Sequence, residues 1–341
     1  MTLLLEQQTN ILKNPFIAFL KLIRFENLLI LVFTQYLMRY AVMNSLLYYK
    51  GQKINLQLSH FNFFLLSLST VVIAAAGYII NDYFDVKTDK INRPSSVVID
   101  KGIKRRVAMA AHLVLNCVGV ALGIYVAIVA GNYKLGIIHV LSAGLLWNYS
   151  TIFKKQLIIG NVIVSVLTAL VPLIVLFYES PSIINYCKIT WPDNLGEINQ
   201  LYKFICKYIF AFSGFAFLTS MIREIIKDME DFQGDKETGC NTIPIAWGMR
   251  AAKAIVVGLI SNTLILLFFI TYKLYNSPSD TVPTLYILIA VVLPLMLLCY
   301  KIYKAQTPHD FKKASFLVKI IMLTGVSFSF IIYYLSNYAT G

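Results

Sequence analysis

The sequence predicts an all-α polytopic membrane protein, a bundle of nine transmembrane helices with a cavity that faces the cytoplasm. Hydrophobic residues make up 58% of the 341 residues and charged residues only 14%, against about 25% charged in soluble proteins. A soluble globule of this length cannot bury that much apolar surface. The apolar residues also form long, nearly continuous runs, which favours helices and excludes a barrel of short alternating strands.

Nine apolar runs have about the length that crosses the hydrocarbon core of a bilayer. They cover approximately residues 16–43, 61–83, 107–130, 135–153, 157–178, 204–226, 251–272, 282–303 and 316–334. Because their number is odd, the two termini are expected on opposite sides of the membrane. We expect the whole chain, residues 1–341, to form a single membrane-embedded domain.

The basic residues are distributed unequally between the two sides that this topology defines. About 21 of the 30 Lys and Arg residues fall on the side of the N-terminus and about 8 on the other, which predicts a cytoplasmic N-terminus in a multi-pass protein of the cell (plasma) membrane. The net charge of +13 is therefore interpreted as topology and contact with membrane lipids, and no nucleic-acid partner is expected.

Three carboxylates follow directly on the second apolar run. Asp82, Asp85 and Asp89 are spaced i, i+3, i+7, which places them on one face of a helix. A solvated helix end would explain one such cluster. However, three like charges on one face repel one another, and this arrangement is typical of a site for a multivalent cation. Oxygen ligands without nearby His or Cys favour Mg2+ or Ca2+.

A second acidic triad repeats this spacing. Asp228, Asp231 and Asp235 close another apolar run, so a chance arrangement is disfavoured. The two runs cross the membrane in the same direction, and both triads are expected at the cytoplasmic face, opposite each other across a cavity. Two divalent cations would offset the repulsion and hold a diphosphate through its oxygens.

Basic residues next to the acidic triads strengthen the diphosphate hypothesis. Arg93 follows the first triad, Lys227 precedes the second, and Lys154 lies at the cytoplasmic end of the fourth run. Arg binds phosphate through its planar fork and Lys as a point charge. The remaining basic residues near the triads are better explained by membrane topology or by binding of lipid head groups; they are Lys104, Arg105, Arg106 and Lys155. A diphosphate with an apolar tail would explain why the site lies in a membrane.

At these residues the chain resembles the UbiA-type intramembrane prenyltransferases. Their first signature, N-D-x-x-D-x-x-x-D, is matched from Asn81 to Asp89, and their second Asp-rich motif from Lys227 to Asp235. Further similarity lies in Arg24 with Asn27, Asn92-Arg93-Pro94, Tyr149-Ser150 with Lys154, and Gly160-Asn161. The segment 223–235 with Thr242-Ile243-Pro244 is most similar to the digeranylgeranylglyceryl phosphate synthase branch. Residues 98–102 depart from the Pro-Ser-Gly that relatives often carry, which leaves the acceptor open.

The resemblance implies Mg2+-dependent transfer of a prenyl group, expected to be geranylgeranyl, from a prenyl diphosphate to a small lipid or aromatic acceptor. It implies that the six carboxylates bind metal and that four of them are catalytic, namely Asp82, Asp85, Asp228 and Asp231. Substrate-binding roles fall on Arg24, Asn27, Asn81, Arg93, Tyr149, Lys154 and Lys227.

Three functions stay open at this point. The branch resemblance favours geranylgeranylglyceryl phosphate as acceptor, and so does the surplus of cytoplasmic cations at Arg24, Arg223, Lys101 and residues 104–106. An aromatic quinone precursor of the hydroxybenzoate or dihydroxynaphthoate type is the alternative acceptor. A cation-coupled carrier is a distant alternative, because the acids cluster at one membrane face rather than at the midplane.

Overall fold

A computed structural model of the chain describes residues 14–95, 97–274 and 281–338. Helices account for 86% of it, so the prediction of an all-α protein is confirmed. In the described ranges the strands are limited to a short antiparallel hairpin, in which Tyr48–Tyr49 pairs with Gln52–Lys53.

The α-helices are numbered in chain order. They are α1 Pro15–Leu22, α2 Phe25–Tyr36, α3 His60–Asn92, α4 Arg105–Val129, α5 Gly136–Thr151, α6 Ile159–Thr190, α7 Leu195–Glu230, α8 Phe232–Glu237, α9 Ile243–Ala246, α10 Gly248–Leu274, α11 Thr281–Ile287, α12 Leu293–Lys304 and α13 Pro308–Tyr338. Two π-helical segments are continuous with neighbouring α-helices. Leu37–Met43 extends α2 and continues into the three-residue helix Asn44–Leu46, and Leu288–Val292 joins α11 to α12.

Seven segments of the described chain are long and apolar enough to cross a membrane, which makes this a multi-pass membrane protein. They are His60–Asn92, Arg105–Val129, Ile159–Thr190, Pro192–Glu230, Gly248–Tyr272, Thr281–Lys304 and Pro308–Asn337. The two other predicted spans contain shorter helices. The fourth holds the 16-residue α5. The first is interrupted at Arg24, whose φ of 50° lies outside the right-handed helical region. The count of nine spans stays a prediction.

The chain divides into two compact units that alternate along the sequence. The first contains the described residues of 1–32, 59–160 and 231–242, and the second those of 33–58, 161–230 and 243–341. In the first unit α3, α4 and α5 pack on one another, and α1 and α8 pack on α3. In the second unit α7 packs against α10 and α13, and α12 also contacts these two helices.

Close helix packing in the first unit depends on a glycine of α4. A Cβ on Gly119 would lie 2.5 Å from the Cγ1 atom of Ile73 on α3, so a larger residue cannot fit without moving the helices apart. The Ser69 hydroxyl uses this approach to donate a hydrogen bond of 2.6 Å to the Gly119 carbonyl. This packing fixes α3, the helix that carries the first acidic triad.

The second unit contains a buried ion pair. The Arg39 Nε atom lies 2.7 Å from the Glu179 Oε1 atom, and the two side chains are 1% and 0% exposed. Both side chains also bind the backbone of Leu58. Arg39 donates a hydrogen bond to the Leu58 carbonyl, and the Leu58 amide donates one of 3.3 Å to Glu179 Oε2. The pair therefore fixes the segment that follows the hairpin.

We expect Glu179→Leu to destabilise the protein by about 3–5 kcal/mol, because it leaves the Arg39 charge buried without its carboxylate. The double variant with Arg39→Met removes both charges and should recover most of this loss. Unfolding in mixed micelles by titration with sodium dodecyl sulfate measures both free energies. A single variant as stable as the wild type would contradict this role for the pair.

Candidate active site

The first acidic triad lies within α3, near its C-terminal end, and two of its carboxylates form ion pairs. Asp82 Oδ1 accepts a hydrogen bond of 2.9 Å from the Arg24 Nη2 atom. Asp85 pairs with Lys154, which belongs to the 3-10 turn Phe153–Lys155 directly after α5. Three separate segments of the first unit thus meet at this end of α3.

The break between α1 and α2 positions Arg24. Its left-handed backbone costs about 1–2 kcal/mol in a residue with a side chain. Its guanidinium lies over the Tyr78 ring, 4.9 Å from the centroid, and binds Asp82. Asn27, one turn further, donates to the Tyr78 hydroxyl at 3.4 Å. Both residues that were predicted on the first span therefore lie against α3.

The second triad does not lie on one helix, contrary to the interpretation of its spacing. The helix α7 ends at Glu230, Asp231 lies between α7 and α8, and Asp235 lies in α8. Asp231 and Asp235 belong to the first unit, whereas Asp228 belongs to the second. Residues 231–235 form the turn between α7 and the middle of α8. Contacts of this turn with the end of α3, rather than helical periodicity, determine the positions of Asp231 and Asp235.

Asn92 holds that turn in place. Its Nδ2 atom donates to the Asp231 carbonyl at 3.0 Å, and its Oδ1 atom accepts from the Gly234 amide at 2.8 Å. A Cβ on Gly234 would lie 2.6 Å from Asn92 Nδ2, so glycine is required for this contact. Arg93, the next residue, pairs with both carboxylate oxygens of Asp231. The Asn-Arg pair thus brings part of the second triad to the first.

The sequence pattern assigns no role to Gly234 and points to Asn92 only through the family resemblance. A glycine within a short polar helix, three residues after an aspartate, was the signal available for the docking turn. Gly160 was noted without a reason, and the structure supplies one. A Cβ there would lie 3.0 Å from the Lys154 Cα atom and 3.3 Å from the Tyr149 ring. Gly160 therefore allows close packing beside the turn that carries Lys154.

The carboxylates of the first unit outnumber their cationic partners. Asp82, Asp85 and Asp231 are paired, but neither Asp89 nor Asp235 forms an ion pair with any residue that the structure describes. Burial, with the nearby charges of Asp231 and Asp85, raises the pKa of Asp235 to about 7, although Lys154 and Arg93 act in the opposite direction. The cluster thus retains an unbalanced negative charge.

Mg2+ fits the chemistry of these ligands. Every candidate donor is a hard oxygen, and the Asn81 Oδ1 atom is buried without a hydrogen-bond partner in the described part of the chain. Within that part, no three carboxylate, imidazole or thiol groups lie close enough together to enclose a metal ion. Three of the carboxylates are paired with Arg24, Arg93 and Lys154. These cationic side chains would have to share the carboxylate oxygens with a bound metal ion.

The second unit holds the other predicted site residues, Asp228 and Lys227, on α7. Asn161 Nδ2 donates to Asp228 Oδ2 at 2.8 Å, and Asn161 is 7% exposed. This bond fixes the aspartate between α6 and α7. Asn161 was noted only through the family resemblance, and its contact with Asp228 could not be found from the sequence.

Comparison with known proteins supports the family resemblance. The chain matches the UbiA prenyltransferase family over residues 37–324. It is 31% identical over 277 residues to the digeranylgeranylglyceryl phosphate synthase of Methanothermobacter thermautotrophicus, an alignment that covers 79% of this chain and 85% of that protein. The enzyme of the same name from Saccharolobus solfataricus is 32% identical over 259 residues, covering 75% and 79%.

Solved structures show the same fold. A structure of digeranylgeranylglyceryl phosphate synthase gives a TM-score of 0.55 at 24% identity, covering 93% of this chain and 99% of that one. A UbiA homologue from Archaeoglobus fulgidus, bound to geranyl diphosphate (GPP) and Mg2+, gives a TM-score of 0.54 at 15% identity with the same coverage. The chain belongs to the UbiA prenyltransferase family.

Proposed function

We propose that this protein transfers a geranylgeranyl group from its diphosphate to geranylgeranylglyceryl phosphate, forming a second ether bond and releasing diphosphate, with Mg2+ as cofactor. The observation that carries the proposal is the cluster of five carboxylates and three cationic side chains at the end of α3. The names of the relatives support the lipid acceptor. The Archaeoglobus homologue, bound to a prenyl diphosphate and Mg2+, supports the donor and the metal.

The proposed roles follow from the charges. Asp82, Asp85, Asp89, Asp231 and Asp235 would bind Mg2+, and Asp228 keeps the ligand role that its motif predicts. Bound Mg2+ would neutralise carboxylate and diphosphate oxygens and withdraw charge from the leaving group. Arg24, Arg93 and Lys154 would bind the remaining diphosphate oxygens. Asn27, Asn81, Tyr149 and Lys227 keep their predicted substrate-binding roles.

The reaction requires no covalent bond to the enzyme. The bond between the allylic carbon and the diphosphate oxygen breaks, and diphosphate leaves with the electron pair. The free glycerol hydroxyl then bonds to that carbon, and its proton passes to the released diphosphate. Fixed cations around the leaving group stabilise the charge that develops on it, which is commonly the largest contribution to such catalysis.

The topology belongs to the same proposal. We infer nine spans in a single membrane-embedded domain, with a cytoplasmic N-terminus and a cavity open to the cytoplasm, in the cell membrane. The excess of Lys and Arg on that side supports this orientation. A carrier is disfavoured, because Asp82, Asp85 and Asp89 lie in the last turns of α3 rather than at its middle.

Asp85→Asn should lower the rate of prenyl transfer by about 10²–10³-fold, because the variant loses a metal-binding charge that stabilises the leaving group. The rate is measured in detergent with labelled geranylgeranyl diphosphate across a range of Mg2+ concentrations. Asp100→Asn is the matched control, since Asp100 is exposed, lies in the same unit and pairs with Arg105. Equal losses in both variants would contradict the assignment.

Lys154→Gln and Lys155→Gln distinguish a diphosphate ligand from a topology charge. The Lys154 side chain is 12% exposed and pairs with Asp85, whereas its neighbour Lys155 is exposed. We expect Lys154→Gln to reduce kcat/KM for the donor by about 10²-fold and Lys155→Gln to leave it unchanged. Initial rates at varied donor concentration give both values, and similar kinetics for the two variants would show that Lys154 has no special role.

The product identifies the acceptor. With a panel of glyceryl phosphates and aromatic acids, we expect a product that resists mild alkali and retains its phosphate, because the new bond is an ether. Mass spectrometry of the extracted lipid measures this. A prenylated aromatic ring would instead establish the quinone-precursor activity.

A further inference from the structure

The helix α7 carries a charged pair directly after its apolar run, which ends at Ile222. Arg223 and Glu224 are only 18% and 15% exposed, and the Arg223 Nη1 atom donates to Glu224 Oε1 at 2.8 Å. Both lie in the candidate membrane span Pro192–Glu230, at the start of its charged last eight residues. Ionisable side chains within such segments are energetically costly and commonly mark functional sites.

The Arg223 guanidinium has donors to spare. It carries five N–H groups, and the hydrogen bond to Glu224 uses one of them. Its Nε atom is buried without a hydrogen-bond partner among the residues that the structure describes. A buried donor without an acceptor is unfavourable, so this group has the character of a binding site for an anion.

The position of the pair on α7 indicates which anion. Glu224 and Asp228 are four residues apart and therefore share a face of the helix. Arg223 lies five residues before Asp228, about 7.5 Å along the axis and about 140° around it, so the Arg223 backbone position is offset from the face of Asp228 and its long side chain reaches Glu224. Asp228 is fixed by Asn161 and marks the diphosphate end of α7 under the proposed function. The pair therefore lies about one and a half turns deeper along the helix than the diphosphate end.

The other surplus cations are already engaged or exposed. Arg24 is bound to Asp82. Arg105 is exposed and pairs with Asp100, and the Lys101 Nζ atom donates to the Pro94 carbonyl at 2.8 Å. Compared with Arg24, Lys101 and the basic residues 104–106, Arg223 has both a largely buried side chain and hydrogen-bond donors that are not used among the described residues.

We propose that Arg223 binds the phosphate of the glyceryl ether acceptor and thereby determines acceptor specificity, an inference that rests on the proposed function. The guanidinium fork matches a phosphate, which accepts two parallel hydrogen bonds from it. Glu224 is a positioning residue, which balances the Arg223 charge before the acceptor binds and orients the guanidinium afterwards. With its phosphate held here, the acceptor points its glycerol hydroxyl towards the Asp228 end of α7.

The test compares two acceptors, geranylgeranylglyceryl phosphate and its dephosphorylated analogue geranylgeranylglycerol, at saturating donor. In Arg223→Gln we expect the KM for the phosphorylated acceptor to rise about 10- to 100-fold, as for the loss of charge-assisted hydrogen bonds. The KM values for the analogue and for the donor should stay unchanged. A purely structural defect would change the kinetics with both acceptors alike, so the ratio of the two acceptor KM values is the decisive quantity.

Two further variants complete the test. Arg250→Gln removes an exposed arginine of the same unit and should leave the ratio at its wild-type value. Arg223→Lys keeps the positive charge but loses the planar fork, so its ratio of the two acceptor KM values should fall between those of the wild type and Arg223→Gln. If Arg223→Gln does not fold, Arg223→Lys provides the test instead.

Two results would overturn the inference, and they are distinguishable. An unchanged KM ratio in the Arg223 variants, with a wild type that prenylates the glyceryl phosphate, overturns the inference alone. A wild type that prenylates only an aromatic acid overturns the proposed function and this inference together.

Discussion

Mutual repulsion among the carboxylates at the end of α3 is the constraint on which the site depends. Two unit charges 4 Å apart interact by about 4 kcal/mol at an effective dielectric constant of 20, so five carboxylates in one unit require compensation. Arg24, Arg93 and Lys154 each neutralise one of them. Asp89 and Asp235 form no ion pair within the described residues, and burial together with the nearby charges of Asp231 and Asp85 raises the pKa of Asp235 to about 7. A cluster in this state favours a further cation, and its oxygen ligands favour Mg2+.

Holding these charges together requires a rigid scaffold, which small residues and amides provide. Gly119 lets α4 approach α3, and Gly160 leaves room for the turn that carries Lys154. Asn92 binds the backbone at Asp231 and Gly234 through both of its side-chain atoms. Each of these contacts holds the backbone in position and involves no charged side chain as hydrogen-bond partner. The ion pairs therefore form on a framework that packing and hydrogen bonds have already positioned, which limits the entropy lost when substrate binds.

The sequence was sufficient for the fold class and for placing the first acidic triad on one helix, because apolar run length and carboxylate spacing are local properties of the chain. It failed where tertiary contacts decide the backbone. At Arg24 the helix breaks, and the guanidinium of this residue pairs with Asp82, 58 residues further along the chain. Directly after α7 ends at Glu230, the Asp231 carbonyl accepts a hydrogen bond from Asn92, a contact between residues 139 positions apart. For Lys154 and Lys155 the sequence pattern favoured Lys154, and the turn after α5 supplies the physical reason, since it makes Lys154 face Asp85.

The same repulsion constrains the second substrate. A glyceryl phosphate that approaches a diphosphate ringed by carboxylates adds another anion to a site that already has too many. Cations that neutralise the donor and its carboxylates cannot also neutralise the acceptor, so the acceptor phosphate requires a counter-charge of its own at some distance from the metal ligands. On α7 Arg223 is separated from Asp228 by about 7.5 Å of helical rise and by about 140° around the helix axis. Glu224, whose carboxylate accepts a hydrogen bond of 2.8 Å from Arg223, would neutralise this arginine before the acceptor phosphate binds, which lowers the cost of keeping its charge largely buried.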